Sequence, residues 1–571
     1  MPRPLGMTSG ILKYALSVVL GFYFGVACAQ VPLPNIVDRI DRRDNVRQQP
    51  SFQPPASKSP LLLPPVVPMP EESHRISPQL RVFVRAYRFA GNTVVPSEEL
   101  GRLAAPYTGR TVTSEELLEL RNKLTLYYVN KGYVNSGAIL PDQEVKENVI
   151  TFTMVEGTLN QVVVAGVQRL KIDYVRDRIL LGAGPPLNVN SLQQRLLLLQ
   201  QNGLIERINA ELIPGIRQGE SALNVVVQEA RPYQAGVTVS NHSSPTVGAY
   251  RAELYAAHHN LSGWGDTIEA RYGITSGIND YSLRYALPVD AHDTTIGLRY
   301  SRNDAAVVEE PFNLLNITSR SQTVGVSLDR PVIQTPGESL SLGLSLEHRS
   351  SQTYLFDQPF SFSAGIADGK SMENVLRFSQ DWGKRSVDQV VTLRSIFSAG
   401  STNALSPVNG IGPAKHFVAW LGQAQWAARL EEGRQFILLG NAQYAPQTLL
   451  PLEKLGIGGA STVRGYRETQ LLRDNGFVIS AEYRIPILHN QAGESRTQLA
   501  PFVDYGKGWN RDLTSDLPRD ISSAGLGLLW NPDKHWQTQL YAAKAFRNFP
   551  ASGKRDLQDS GIHFLVNYQF F

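Results

Sequence analysis

Cysteine is almost missing from this chain. Cys28 is the only one in 571 residues, so there is no disulfide, no thiolate metal site beyond a single ligand and no pair of redox thiols. Long apolar runs are missing too. The longest, Tyr14 to Val26, falls short of the ~20 residues a membrane-spanning helix needs. Charge of one sign is not concentrated: Lys, Arg, Asp and Glu make up 19% of the chain, and the net charge is only +4. That balance excludes the clustered basic face of a nucleic-acid binder. The ten histidines show no H-E-x-x-H spacing, and no G-x-S-x-G elbow appears. Neither a catalytic constellation nor a cofactor fingerprint rises above scattered Ser, His and Asp, so no enzyme activity, metal or cofactor is expected.

One stretch imitates a phosphate loop. "AGIADGKS", residues 364–371, has the Ala-x4-Gly-Lys-Ser spacing, but a phosphate loop must lead from a buried strand into a helix. "MENVLRFSQ" follows it and reads as a strand, so the match is set aside.

The N-terminus is organised for export. Arg3 and Lys13 precede the apolar stretch, and Ala27-Cys28-Ala29 offers a small-x-small cleavage site, so residues 1–29 are expected to be a signal peptide. A lipoprotein signal fits less well, because Gly25 stands where a large aliphatic residue is preferred. Residues 30–48 contain a short amphipathic pattern, with Ile36, Val37, Ile40 and Val46 roughly on one side. Residues 49–78 follow with prolines at 50, 54, 55, 60, 64, 65, 68 and 70, which favours an extended, semi-rigid linker.

From 79 to 157 the pattern is strand, helix, helix, strand, strand. Thr113-x-x-Glu116 forms a capping box ahead of Leu117, Leu120, Leu124 and Tyr127 at helical spacing. "VITFTMVEG" alternates as a strand. The same order recurs over 158–231, a weak internal repeat of two α+β modules. Their sheet edges and the groove beside the long helix suit an extended peptide added as a further strand.

After Pro232 helical periodicity stops. Sixteen alternating segments follow, from "YQAGVTVSN" to "GIHFLVNYQFF", each bounded by turn residues. Residues 232–571 shared among sixteen strands leave about 21 for each strand and its connection, enough for the ~9–11 residues of a tilted spanning strand. One face stays polar, as in "YSLRYAL" and "FVISAEYRI", which suits a wet lumen with lipid outside. The expected fold is a membrane β-barrel of sixteen antiparallel strands wide enough for an aqueous channel. Phe571 ends the chain in the apolar-aromatic manner of outer-membrane strands.

Between the eleventh and twelfth strands lies a long segment, 445–473, containing "EKLGIGGASTVRGYRETQ". Glycines make it pliable, yet Arg464 and Tyr466 are large anchoring side chains. A guanidinium folded into the lumen needs a paired carboxylate. The next strand but one supplies "PFVDYGKGW", so a bidentate Arg464–Asp504 bridge is expected to pin the loop to the wall.

At this point the sequence resembles the transporters of two-partner secretion, the TpsB family, a branch of the superfamily that includes the barrel-assembly insertases. The family's loop motif Val-Arg-Gly-Tyr stands here as Val463, Arg464, Gly465 and Tyr466. Its Phe-x-Asp-x-Gly strand motif matches Phe502, Asp504 and Gly506. The resemblance covers essentially the whole mature chain. It implies a plug helix over 30–48, two periplasmic POTRA domains at 79–157 and 158–231, and the barrel at 232–571 in the bacterial outer membrane.

It further implies a monomer, embedded in outer-membrane lipid and inserted by the barrel-assembly machinery. Its partner would be a large secreted protein, an adhesin, cytolysin or toxin. The POTRA domains would capture that protein unfolded, and it would fold into a β-helix outside. An insertase of the same superfamily usually carries more than two POTRA domains, and a diffusion porin lacks a 200-residue periplasmic portion; these remain the alternatives.

Overall fold

A bend at one arginine shapes the first part of the chain. The computed structural model describes residues 50, 52, 81–362, 365–405, 412–489, 495–511, 518–549 and 554–570. The expected signal peptide, the plug helix, the linker apart from Pro50 and Phe52, and Phe571 lie outside the described residues.

The first module runs β1 (Arg81–Val84), β2 (Ala86–Ala90), α1 (Ser97–Ala104), β3 (Arg110–Thr113), α2 (Ser114–Asn130), β4 (Gly137–Ile139) and β5 (Val149–Val155). Sequence alternation merges β1 and β2 into one strand. The chain bends at Arg85, so β1 pairs with β3 while β2 lies parallel to β5. The capping box at the start of α2 is formed: Thr113 Oγ1 accepts from the Glu116 N–H at 3.2 Å, and Glu116 accepts from the Thr113 N–H at 2.7 Å. Leu117, Leu120, Leu124 and Tyr128 then face Ile150, Phe152 and Met154 in one core.

The second module repeats the plan with β6 (Thr158–Ala165), α3 (Ile172–Leu180), α4 (Val189–Gln201), β7 (Ile205–Pro214) and β8 (Glu220–Glu229). Its sheet order is β6-β8-β7, with β6 and β8 parallel. Leu192, Leu196 and Leu199 of α4 pack on Ile208, Val225 and Val227.

The remainder is a closed barrel. Its wall strands are β9 (Tyr233–Ser240), β10 (Arg251–His259), β11 (Thr267–Ile274), β12 (Ile278–Pro288), β13 (Thr295–Ala306), β14 (Thr318–Gln334), β15 (Glu338–Leu355), β16 (Lys370–Arg385), β17 (Gln389–Thr402), β18 (His416–Arg429) and β19 (Gln435–Tyr444). A small inner hairpin, β20 (Leu455–Ile457) and β21 (Leu471–Arg473), interrupts the series. The wall resumes with β22 (Asn475–His489), β23 (Ser495–Trp509), β24 (Asp520–Trp530), β25 (Trp536–Ala545) and β26 (Ile562–Gln569). β26 pairs with β9 and closes the cylinder at sixteen antiparallel strands, apart from a two-residue stub at Gln358–Pro359.

Strand parity sorts the two faces. Leu298, Val326, Leu346 and Leu376 are cross-strand neighbours, all exposed, and form part of an apolar outer belt. One residue out of phase, Arg299, Gly325 and Glu347 are aligned on the lumen side. Trp426 with Phe436, and Trp536 with Tyr568, add aromatic pairs near the turns at one rim. The phosphate-loop look-alike runs through Lys370 directly into β16, so the helix such a loop requires is absent there.

The second module sits against other turns of the same rim. Arg178 of α3 reaches Asp293 at 2.7 Å, donates to the Asp290 carbonyl at 3.2 Å and stacks over Tyr174 at 3.7 Å. The Lys171 N–H donates to the Gly263 carbonyl at 3.0 Å, and Arg385 reaches Gln201 at 2.5 Å. The segment joining β19 to β22 leaves from the opposite rim.

Candidate functional site in the barrel lumen

The segment from Ala445 to Asp474 does not project away from the barrel. Its residues Leu455, Ile457, Val463, Tyr466 and Leu471 share a buried cluster with Val478 of β22 and Ile521 of β24. An apolar cluster on the lumen side draws the loop inward.

Arg464 sits at its centre with no exposed surface. Its Nε donates to one Asp504 oxygen at 2.8 Å and Nη2 to the other at 2.9 Å, a two-pronged pair. The Arg464 backbone N–H also donates to Asp504, at 3.0 Å. Nη1 reaches Glu482 at 2.6 Å, and Nη2 reaches the Ser480 hydroxyl at 3.2 Å. Arg484 satisfies the other Glu482 oxygen at 2.7 Å, so two cations face two carboxylates. The guanidinium carbon lies 3.3 Å from the Phe502 ring centroid and 4.6 Å from that of Tyr541. Aromatic faces add to the attraction without competing for its N–H groups.

The rest of both motifs closes around this contact. Val463 is fully buried, and Gly506 makes room for it: a Cβ there would stand 2.9 Å from Val463 Cγ2 and 2.5 Å from Ile457 Cγ2. Gly465 has φ +89°, and its Cβ would meet that of Ala543 at 2.9 Å. Its N–H donates to His563 Nε2 at 3.0 Å. Tyr466 donates to the Ser522 carbonyl at 2.9 Å, accepts from the Arg547 N–H at 3.1 Å and packs edge-on to Phe549. All seven residues marked in the sequence, Val463, Arg464, Gly465, Tyr466, Phe502, Asp504 and Gly506, thus meet in one place.

Other contributors carried no motif. Ser480 and Glu482 belong to "FVISAEYRI", whose polar face was visible, but only the pairing of Ser480 with Asp504 shows that they face Arg464. His563 and Tyr541 arrive from the last two strands. Arg467, next along the loop, forks onto Asp559 at 2.6 and 2.8 Å and reaches Glu309 at 2.6 Å. Both acids lie in connections at the rim from which the loop enters.

Comparison with known proteins settles the family. The model describing haemolysin secretion/activation proteins of the ShlB/FhaC/HecB type matches residues 219–529, and that of the ShlB-type POTRA domain matches residues 82–157. The chain belongs to this family. It is an outer-membrane transporter of two-partner secretion, with its POTRA modules in the periplasm.

Among relatives, the heme/hemopexin transporter protein HuxB of Haemophilus influenzae is 23% identical over 80% of this chain and 82% of its own length. The outer membrane transporter CdiB of Escherichia coli is 24% identical over 68% of this chain and 66% of its own. The solved structure of CdiB from Escherichia coli shares the fold, with a TM-score of 0.67 at 20% identity, covering 88% of this chain and 93% of that one.

Proposed function

We propose that the buried Arg464–Asp504 pair is a releasable lock on the loop 445–473, and that transport of the partner protein requires the loop both to seat on this pair and to release from it. The observation that carries this reading is the burial of Arg464 among Asp504, Glu482, Phe502 and Tyr541 on a glycine-rich loop folded into the lumen. Such a cation is held firmly while paired and is costly to leave unpaired, so the loop has two distinct states, seated or withdrawn.

The cargo in this reading is a single large exported protein that the POTRA modules receive unfolded. It threads the barrel and folds as a β-helix outside, where folding helps draw the chain through. Among an adhesin, a cytolysin and a toxin, a relative named for hemolysin transport supports a cytolysin. The transporter works as a monomer without cofactor or catalytic residue and is inserted by the barrel-assembly machinery.

Culture-supernatant and outer-membrane proteomes, compared with and without the gene, test this function. Loss of one large secreted protein with other barrels unchanged is the expected result. A general fall in barrel proteins would instead make the chain an insertase.

A further inference from the structure

The loop is held at a second place, and there the charges are reversed. Glu453 is fully buried and accepts from two wall arginines, Arg349 of β15 at 2.8 Å and Arg377 of β16 at 2.7 and 3.3 Å. Glu347 contacts the same two arginines at 2.7 and 3.4 Å, Glu373 lies 3.6 Å from Arg349, and Arg377 also donates to Ser398 at 2.7 Å. At Arg464 the loop brings the cation and β22–β23 bring the acids. At Glu453 the loop brings the acid and β15–β16 bring the cations. Arg464 and Glu453 therefore seat the loop on two separate parts of the wall.

Its two ends are built differently. Around Glu453 the loop's base is knitted together through its own backbone. Gln443 donates to the carbonyls of Glu453 and Asp474 at 2.9 and 3.0 Å. Asp474 accepts from the Leu449 N–H at 3.0 Å and pairs with Lys454 at 3.2 Å, while Asn475 accepts from the Ala445 N–H at 2.7 Å. Leu449 is buried with Val375, Phe417 and Ala419. Past Ile457 come Gly458 and Gly459, at φ +113° and +103°, where a side chain would be strained. Beyond them the tip is gripped mainly by side chains, above all Arg464 and Arg467.

We propose that Glu453 is the permanent foot of the loop and Arg464 the releasable one, with Gly458 and Gly459 as the hinge between them. When the tip lets go, the base stays seated on Arg349 and Arg377. The loop swings aside without leaving the lumen and can close again. A carboxylate buried between two arginines is costly to withdraw, since both sides would be left uncompensated. This inference rests on reading Arg464 as a lock.

The test uses purified full-length protein in planar bilayers, without any cargo. Wild type, Arg464→Ala, Glu453→Gln and the double variants Glu453→Gln/Arg464→Ala and Glu453→Asp/Arg464→Ala are compared for the frequency and duration of openings. Arg464→Ala should open often and reclose; Glu453→Gln alone should stay near wild type because the tip still holds. The double variant Glu453→Gln/Arg464→Ala should dwell open about tenfold longer than the two single effects combined, the coupling expected of two contacts on one loop. The double variant Glu453→Asp/Arg464→Ala, which keeps the carboxylate, should return to the short openings of Arg464→Ala.

A Glu453→Gln/Arg464→Ala variant indistinguishable from Arg464→Ala would overturn the role of Glu453. So would long openings in Glu453→Gln alone. Wild-type gating in Arg464→Ala would instead bring down the lock itself. Should Glu453→Gln fail to fold, as read by heat-shifted gel mobility, Arg349→Gln weakens the same foot from the wall side and decides by the same comparison.

Discussion

Forty residues apart in sequence, Arg464 and Asp504 meet with both carboxylate oxygens occupied, at 2.8 and 2.9 Å, and with no exposed surface on either. The contact joins a loop to the wall, so its strength is the strength with which the loop is seated.

Geometry makes this more than a charge pair. Lysine at 464 keeps the charge but loses the fork, the reach to Glu482 and the flat face against Phe502. Arg464→Ala should weaken loop seating by about 3–5 kcal/mol, because Asp504 and Glu482 are left facing each other. Arg464→Lys should recover only part of that. Trypsin cleavage within 455–473 on folded barrels measures the seating, and full protection of the Lys variant would show that charge alone suffices.

The neighbouring glycine is fixed by both backbone and space. Gly465→Ala places a Cβ 2.9 Å from that of Ala543 at φ +89°, and should lower seating by at least ~1 kcal/mol. The same protease assay should show faster cleavage, with the barrel's heat-shifted gel mobility retained. Cleavage at the wild-type rate would mean that the loop tolerates a shifted path.

At the other rim, Arg178 should hold the second POTRA module against the barrel. Its charge is nearly buried between Asp293 and Tyr174. Arg178→Ala should speed amide exchange in the turn 289–294 and in α3 while leaving α4 protected. Unchanged exchange in both would mean that Lys171 and Arg385 suffice for the docking.

Much of this was legible in the sequence, for a physical reason. Spanning strands alternate because one side meets lipid and the other water, so each of the sixteen segments announced itself. Arg464 and Asp504 could be joined because a charge in a confined space has few solutions. Glu482 could not: its role depends on the register that sets Ser480 opposite Asp504, and register is not visible in one strand alone. Glu453, Arg349 and Arg377 come from three distant stretches with no local pattern linking them. β3 leaves no sequence signal, because four residues, Arg110–Thr113, are too few to show a period. The break at Arg85 leaves no mark in the sequence, because β1 and β2 alternate almost without interruption.

In the first POTRA module, Glu156 ties the turn after β2 to α2. Burial raises its pKa, but hydrogen bonds from Thr93, Val94 and Tyr128 outweigh that and hold it below the ordinary 4.5. A carboxyl depressed on folding contributes stability that is present above the unfolded value and is lost as pH falls through the folded one. Amide protection in residues 82–157 of the full protein, relative to the intrinsic exchange rate at each pH, should therefore fall below pH 4.5 in the wild type. Glu156→Gln should exchange faster already at neutral pH and lose that part of the acid response. An equal acid response in both would assign it to other carboxylates.

The most direct test of the lock is the amount of secreted partner per folded barrel in Arg464→Ala and Asp504→Ala cells, set against wild type. Quantitative proteomics of the supernatant gives the numerator, and heat-shifted barrel in outer membranes gives the denominator. Secretion per barrel should fall sharply in both variants while barrel levels hold. Wild-type secretion per barrel in both would show that the buried pair is scaffolding and that transport does not depend on it.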